Sequence, residues 1–265
     1  MKEFYLTLLS NSSLNYYPEN KTSSFTVHLP NKIELNNNWE VAIVEIHYQY
    51  TFFNVTEQNN QINIEISYNE NDKECFNLEI EPGYYDDIED IVYKVNKIVK
   101  QHTTQDCIAI NNVTNRIKPL QSQDFEEMNI ISKSNIAIKF QNRLALQLGF
   151  TPNENILKYD KSEHACSILL GIPDQMFIYC DVIEPQLVGH EHARILRIIQ
   201  SQPNVKRMVF GQSCHQEFNL LHYVPILKKE FETISIDIRD CMGNLMPFQY
   251  GTLTLKLHFR ERTKI

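Results

Sequence analysis

The residue types best able to do chemistry gather at two places in the chain. His190-Glu191-His192, preceded by Cys180, Asp181 and Glu184, contains metal-ligand types. Histidines two apart on a strand project to one side and can chelate a cation, but such a pair needs further ligands that its spacing does not fix. A solvent-facing turn after Gly189 accounts for the same residues. Cys214-His215, with Asp237 or Asp240, has the types of a thiol nucleophile and its base. Sequence neighbours on a strand point to opposite faces, however, and no signature of a cysteine-enzyme family surrounds the pair. The paired carboxylates Asp86-Asp87 and Glu126-Glu127 fall at an expected helix start and in a polar loop, where charge placement and solvation explain them. No serine-hydrolase elbow, P-loop or dinucleotide fingerprint is present. Seven glycines in 265 residues also argue against phosphate-cradling loops. No catalytic, cofactor-binding or metal-binding residue is therefore assigned, and the expectation is a protein that is not an enzyme and carries no cofactor.

Composition narrows the partners. A formal charge of −8 with scattered Lys and Arg excludes broad attraction to a phosphate backbone, so no specific nucleic-acid partner is expected. The six cysteines, Cys75, Cys107, Cys166, Cys180, Cys214 and Cys241, lie far apart with no zinc-ribbon spacing and read as reduced core residues. Met1 to Leu9 is a short β-like run ended by Ser10 and Asn11 rather than a signal peptide, and no apolar run approaches the roughly 18 residues of a membrane helix. Synthesis in a reducing compartment and no membrane span are the expectations. On that basis the sequons at Asn11, Asn20, Asn54 and Asn112 read as chance in an Asn-rich chain.

The elements that would position these residues are mainly strands. Thirteen Tyr and 14 Phe suit a pleated, half-buried surface. Alternation recurs at Phe25-Val27-Leu29, Ile62-Ile64-Ile66-Tyr68, Ile136-Ile138-Phe140, Ile234-Ile236-Ile238 and Leu253-Leu255-Leu257-Phe259. From Trp39 to Ile46 both faces are apolar, as in a covered central strand. After Pro82-Gly83, the residues Ile88, Ile91, Val92, Val95, Ile98 and Val99 have helical spacing, with Asp86 and Asp87 as capping carboxylates and Lys94, Lys97 and Lys100 toward the C-terminal end. A shorter helix is expected from Asn142, as its cap, to Leu148, with Gly149 ending it. Gln121 to Asn129 and Thr151 to His164 are loop candidates, and Gly189 to Gln216 reads as an elaborated excursion. The expected fold is mainly β: a single jelly-roll β-sandwich over residues 1–265, with an inserted amphipathic helix, one short helix and an elaborated segment around 151–216.

The order of motifs adds a family likeness. Phe76 to Tyr85 (FNLEIEPGYY), the helix after it, and Asn135 to Phe150 (NIAIKFQNRLALQLGF) resemble the adenovirus penton base, and Ile234 to Phe259 resembles its last two jelly-roll strands. Over nearly its full length the chain is similar to the penton, or minor capsid, proteins of Maverick/Polinton virus-like transposons. SNSS and YPEN (Ser10 to Ser13, Tyr17 to Asn20), WEVAIVEIHY (Trp39 to Tyr48), MFIYCDVIEPQLVG (Met176 to Gly189) and GTLTLKLHFR (Gly251 to Arg260) carry that similarity.

The resemblance implies a structural capsid protein. It would form a homopentamer that closes the fivefold vertices of an icosahedral virion, beside a double jelly-roll major capsid protein, after assembly inside the host cell. No Arg-Gly-Asp occurs, so the integrin contact of many adenovirus pentons is not carried over, and the chain is much shorter than the adenovirus protein. The faces that would meet in a ring are not legible, because core and interface residues alternate alike; the termini, including Arg260 to Ile265, are candidates for mobile arms. The alternatives from other classes are a jelly-roll binding module for carbohydrate or a receptor, and a cupin-like metal enzyme in which His190 and His192 would meet a third ligand.

Overall fold

The structure, a computed structural model, describes residues 2–69, 72–103, 105–120, 135–202 and 209–262. In chain order the elements begin with β1 (Glu3–Leu9), β2 (Ser24–Glu34) and β3 (Trp39–Gln49). Then come β4 (Gln61–Asn69), β5 (Asp72–Glu79), α1 (Ile88–Thr103), β6 (Ile108–Asn111), β7 (Arg116–Pro119), β8 (Asn135–Phe140) and α2 (Asn142–Gln147). The chain continues through β9 (Gln175–Cys180), β10 (Gln186–Val188), β11 (Glu191–Ala193), β12 (Ile195–Gln200) and β13 (Ser213–Glu217), and closes with β14 (Val224–Pro225), β15 (Glu230–Arg239) and β16 (Thr254–Glu261). The chain divides into two compact units, Met1–Phe52 with Pro173–Ile265, and Phe53–Ile172. Neither helix is long and apolar enough to cross a membrane.

In the first unit, alternation sets which face each strand buries. Phe25, Val27 and Leu29 of β2, Met176 and Ile178 of β9, and Ile234, Ile236 and Ile238 of β15 are all buried. These strands form a sheet ordered β12-β9-β15-β2. Leu8, Val41, Ile43, Ile46, Leu255, Leu257 and Phe259 are likewise buried in a sheet ordered β1-β16-β3-β13, with β14 also on β3. The two apolar faces meet: the rings of Phe231 and Phe259 lie 6.3 Å apart, and the Tyr48 hydroxyl donates to the Ser201 carbonyl at 3.0 Å.

The winding follows from the pairings. Along the chain, β1, β3, β13 and β16 lie in one sheet and β2, β9, β12 and β15 in the other, all pairing antiparallel. First strand with last, second with second-last, is the order of a jelly roll. The mainly β jelly-roll reading is the observed fold, and both helices lie outside these two sheets, within Phe53–Ile172.

The strand Trp39 to Ile46 is central, between β16 and β13, but its two apolar faces have a second cause. The register against β16 shifts between Ile43 and Glu45, and the buried positions change from Val41 and Ile43 to Ile46 and Tyr48. This β-bulge reverses the parity, so that Glu45 and His47 point away from the face that buries Val41 and Ile43.

The second unit has its own core. A sheet ordered β5-β4-β8 and a β6-β7 hairpin accompany α1, whose Ile88, Ile91, Val92, Val95 and Val99 are buried at the expected helical spacing. Asn96 ties that helix to β6: its Oδ1 accepts from the backbone N–H of Cys107 at 2.9 Å and of Ile108 at 3.1 Å. Asn54 is buried, its Nδ2 donating to the Tyr85 carbonyl at 2.8 Å and its Oδ1 accepting from Tyr85 N–H at 2.9 Å. That burial gives this sequon a structural role.

Two expectations need adjustment. Asn142 does not cap α2: Gln141 holds the cap position, and Asn142 is the first helical residue with φ +49°. Four cysteines are buried, but Cys75 on the edge strand β5 and Cys241 in the turn after β15 are exposed, where no sheet covers them. Of residues 151–216, those up to Ile172 fall in the second unit, and those from Pro173 supply β9 to β12 and lead into β13. Gln121 to Asn129 lies outside the described residues.

Gly149 does end α2. Its φ is +80°, its N–H donates to Leu146 O at 3.0 Å, and Phe150 N–H reaches Ala145 O at 2.8 Å, the paired bonds of a Schellman cap. A Cβ there would overlap the His164 carbonyl. Gly149→Ala is expected to destabilise the protein by at least about 2 kcal/mol in urea denaturation; a loss well under ~1 kcal/mol would contradict this cap geometry. Because all six cysteines are free, the melting temperature is expected to be the same with and without dithiothreitol. A large drop in reductant would require a disulfide that this fold does not contain.

Candidate functional site

The residues singled out by type do not converge. His190 is almost fully exposed in the β10-β11 turn, its Nε2 3.5 Å from the neighbouring Glu191, and His192 is exposed on β11. Cys180 is buried on β9, and burial pushes its thiol up to about 12. Asp181 accepts from Ser235 N–H at 2.8 Å and pairs with Lys228, which occupies it structurally. Cys214 and His215 point to opposite faces of β13, the thiol buried and the imidazole half-exposed. Asp237 is held by Ser24 Oγ and Arg239 at 2.7 Å each, and Asp240 accepts the N–H groups of Met242 and Asn244 at 2.9 Å, closing the turn after β15.

Among the described residues, a web of polar side chains converges on the outward face of the β1-β16-β3-β13 sheet. On β16, Lys256, His258 and Arg260 alternate with the buried Leu255, Leu257 and Phe259. Each finds partners on the neighbouring strands. Arg260 binds Glu40 at 2.6 Å and lies over the Tyr223 ring at 3.4 Å; the Tyr223 hydroxyl and His258 Nδ1 are 2.8 Å apart. His258 stacks on Tyr5 at 4.5 Å, and Lys256 reaches Glu45 Oε1 at 3.1 Å.

At the far end of this web, the direct β-pairing of His47 with His215 stacks the two rings 4.0 Å apart and 8° from parallel. Both Nε2 atoms face one oxygen, Glu45 Oε2, at 4.0 and 3.6 Å. The Lys256 ammonium, with smaller help from the two imidazoles, holds the Glu45 carboxyl below its ordinary range. Sequence reasoning found His215 and missed its partners. The only local signal was Glu45-x-His47; the register that brings in His215 comes from a strand far away in the chain.

Chemically, this face can form ion pairs, stack rings and bind cations. It presents no nucleophile with an adjacent base, and the thiols of Cys180, Cys107, Cys166 and Cys214 are all raised by burial. The shallow groove between β12 and β13, lined by Arg197, Gln200, His215 and Glu217 among others, is crossed by a bond from Gln216 Nε2 to Gln200 O at 2.8 Å.

No family model matches the sequence, and no curated protein matches it. Among solved structures, the chain resembles the crystal structure of the mavirus penton protein, with a TM-score of 0.55, 14% sequence identity, and coverage of 98% of this chain and 100% of that one. Together with the strand order β1-β16-β3-β13 and β12-β9-β15-β2, that likeness establishes that this chain has the fold of the mavirus penton protein.

Proposed function

We propose that the protein is a structural capsid protein of the penton type, related to the minor capsid proteins of Maverick/Polinton virus-like transposons, and that it is not an enzyme. The observation that carries the reading is the extent of the likeness to the mavirus penton protein: at 98% of this chain and 100% of the other, it is too wide to leave either compact unit outside it. The outward sheet face supports the same reading, since Lys256, His258 and Arg260 there are taken up by ion pairs and ring stacking.

The mechanism is assembly. Five copies close a ring by repeated head-to-tail contacts, the arrangement cyclic symmetry requires, and the ring occupies a fivefold vertex of an icosahedral virion beside a double jelly-roll major capsid protein. Apolar and aromatic patches on the subunit flanks supply affinity, and the polar rim sets register. Assembly takes place inside the host cell. Within the subunit, we assign the ring-forming jelly roll to Met1–Phe52 with Pro173–Ile265, and treat Phe53–Ile172 as an elaboration carried on the connection between β3 and β9.

Sedimentation equilibrium over a concentration series tests the reading. The expected result is a discrete species at five times the 31.2 kDa chain mass. A chain that stays monomeric at every concentration, with or without a major capsid protein, would contradict it.

A further inference from the structure

We propose that Glu45, His47 and His215 form a binding site for a divalent first-row transition-metal ion of the zinc class, on the outward face of the β1-β16-β3-β13 sheet. One ligand atom from each residue lies within 4.8 Å of the other two. The donor set of two imidazole nitrogens and one carboxylate oxygen is the one borderline metals take at sites that keep a position open.

The backbone builds this arrangement from two independent features. Direct β-pairing places His47 and His215 opposite each other on β3 and β13, at the short side-chain separation of a cross-strand pair. Glu45, two residues before His47 on β3, shares its face by strand alternation, and the register shift just before Glu45 turns that face outward. As a result both Nε2 atoms face Glu45 Oε2, at 4.0 and 3.6 Å, beyond hydrogen-bond distance. A single cation between the three atoms would satisfy all of them, with Zn–N and Zn–O bonds of about 2.0 to 2.2 Å, once the two rings turn out of their stack, now 8° from parallel, so that both lone pairs converge.

The carboxylate is already divided between two tasks. Lys256 Nζ holds Oε1 at 3.1 Å and leaves Oε2 toward the imidazoles. An outer partner that fixes the orientation of a ligating carboxylate is what metal sites use to align their ligands. Both histidines keep 48% of their side-chain surface and Glu45 keeps 25%, so an ion can enter and water can complete its coordination. A bound ion would also fasten the edge strand β13 to β3.

The exposed His190 and His192 are the competing chelating pair, which makes the test discriminating. Zinc chloride is titrated into the full chain by calorimetry at neutral pH, with melting temperature followed in parallel. The expected result is one zinc per chain and a rise in melting temperature with zinc. His47→Ala and His215→Ala should each weaken zinc binding at least ~10-fold and abolish that rise, while the double variant His190→Ala/His192→Ala binds as the original does. The two site histidines are half-exposed, so circular dichroism of both variants is expected to match the original chain. Absence of zinc binding by the original chain would overturn the proposal. So would binding that survives His47→Ala/His215→Ala, or binding lost only with His190 and His192.

Discussion

Pairing between the two ends of the chain is the constraint on which the jelly roll depends. β1 pairs with β16 from Glu3–Arg260 to Leu9–Thr254, and β2 pairs with β15 from Ser24–Asp237 to Glu34–Glu230. Without these two ladders, β1 and β2, with the buried Leu8, Phe25, Val27 and Leu29, have no strand to pair with in either sheet. Bringing such distant segments together is entropically costly, and the cost grows only slowly with the length of chain between them. That slow growth is why the connection between β3 and β9 can hold the whole unit Phe53–Ile172, with a sheet, a hairpin and both helices of its own. Such non-local pairing also makes this a slow-folding topology.

The two faces of each strand divide the labour. Inward, aliphatic and aromatic side chains provide cohesion at roughly 25 cal/mol per Å² of apolar surface removed from water. Outward, on β16, the same alternation presents Lys256, His258 and Arg260, each held by a partner on a neighbouring strand: Glu45, Tyr5 and Glu40. The exposed ion pairs add little net stability, but they fix the orientation of the rings and charges that this face shows to its surroundings.

Much of this was legible in the sequence, because period-2 alternation is a local signal. The sets Ile234-Ile236-Ile238 and Leu253-Leu255-Leu257-Phe259 name their own buried faces, and the spacing from Ile88 to Val99 names α1. What was not legible is non-local. The strands β4 and β8 alternate just as β2 and β15 do, so pattern alone cannot separate the strands of an inserted unit from those of the sandwich. The bulge at Glu45 read as a doubly apolar strand, since a parity reversal and burial on both faces produce the same string of side chains. The Glu45-His47-His215 cluster depends on that bulge and on the β3-β13 register together, neither of which any window of sequence contains.

We propose, as the central claim of the assembly reading, that this jelly roll works by closing a fivefold ring. Cryo-electron microscopy of the largest species formed by the purified chain tests it most directly. The account predicts rings with fivefold symmetry in which neighbouring copies touch through the unit made of Met1–Phe52 and Pro173–Ile265. A ring of another order, or rings held together only through Phe53–Ile172, would contradict it.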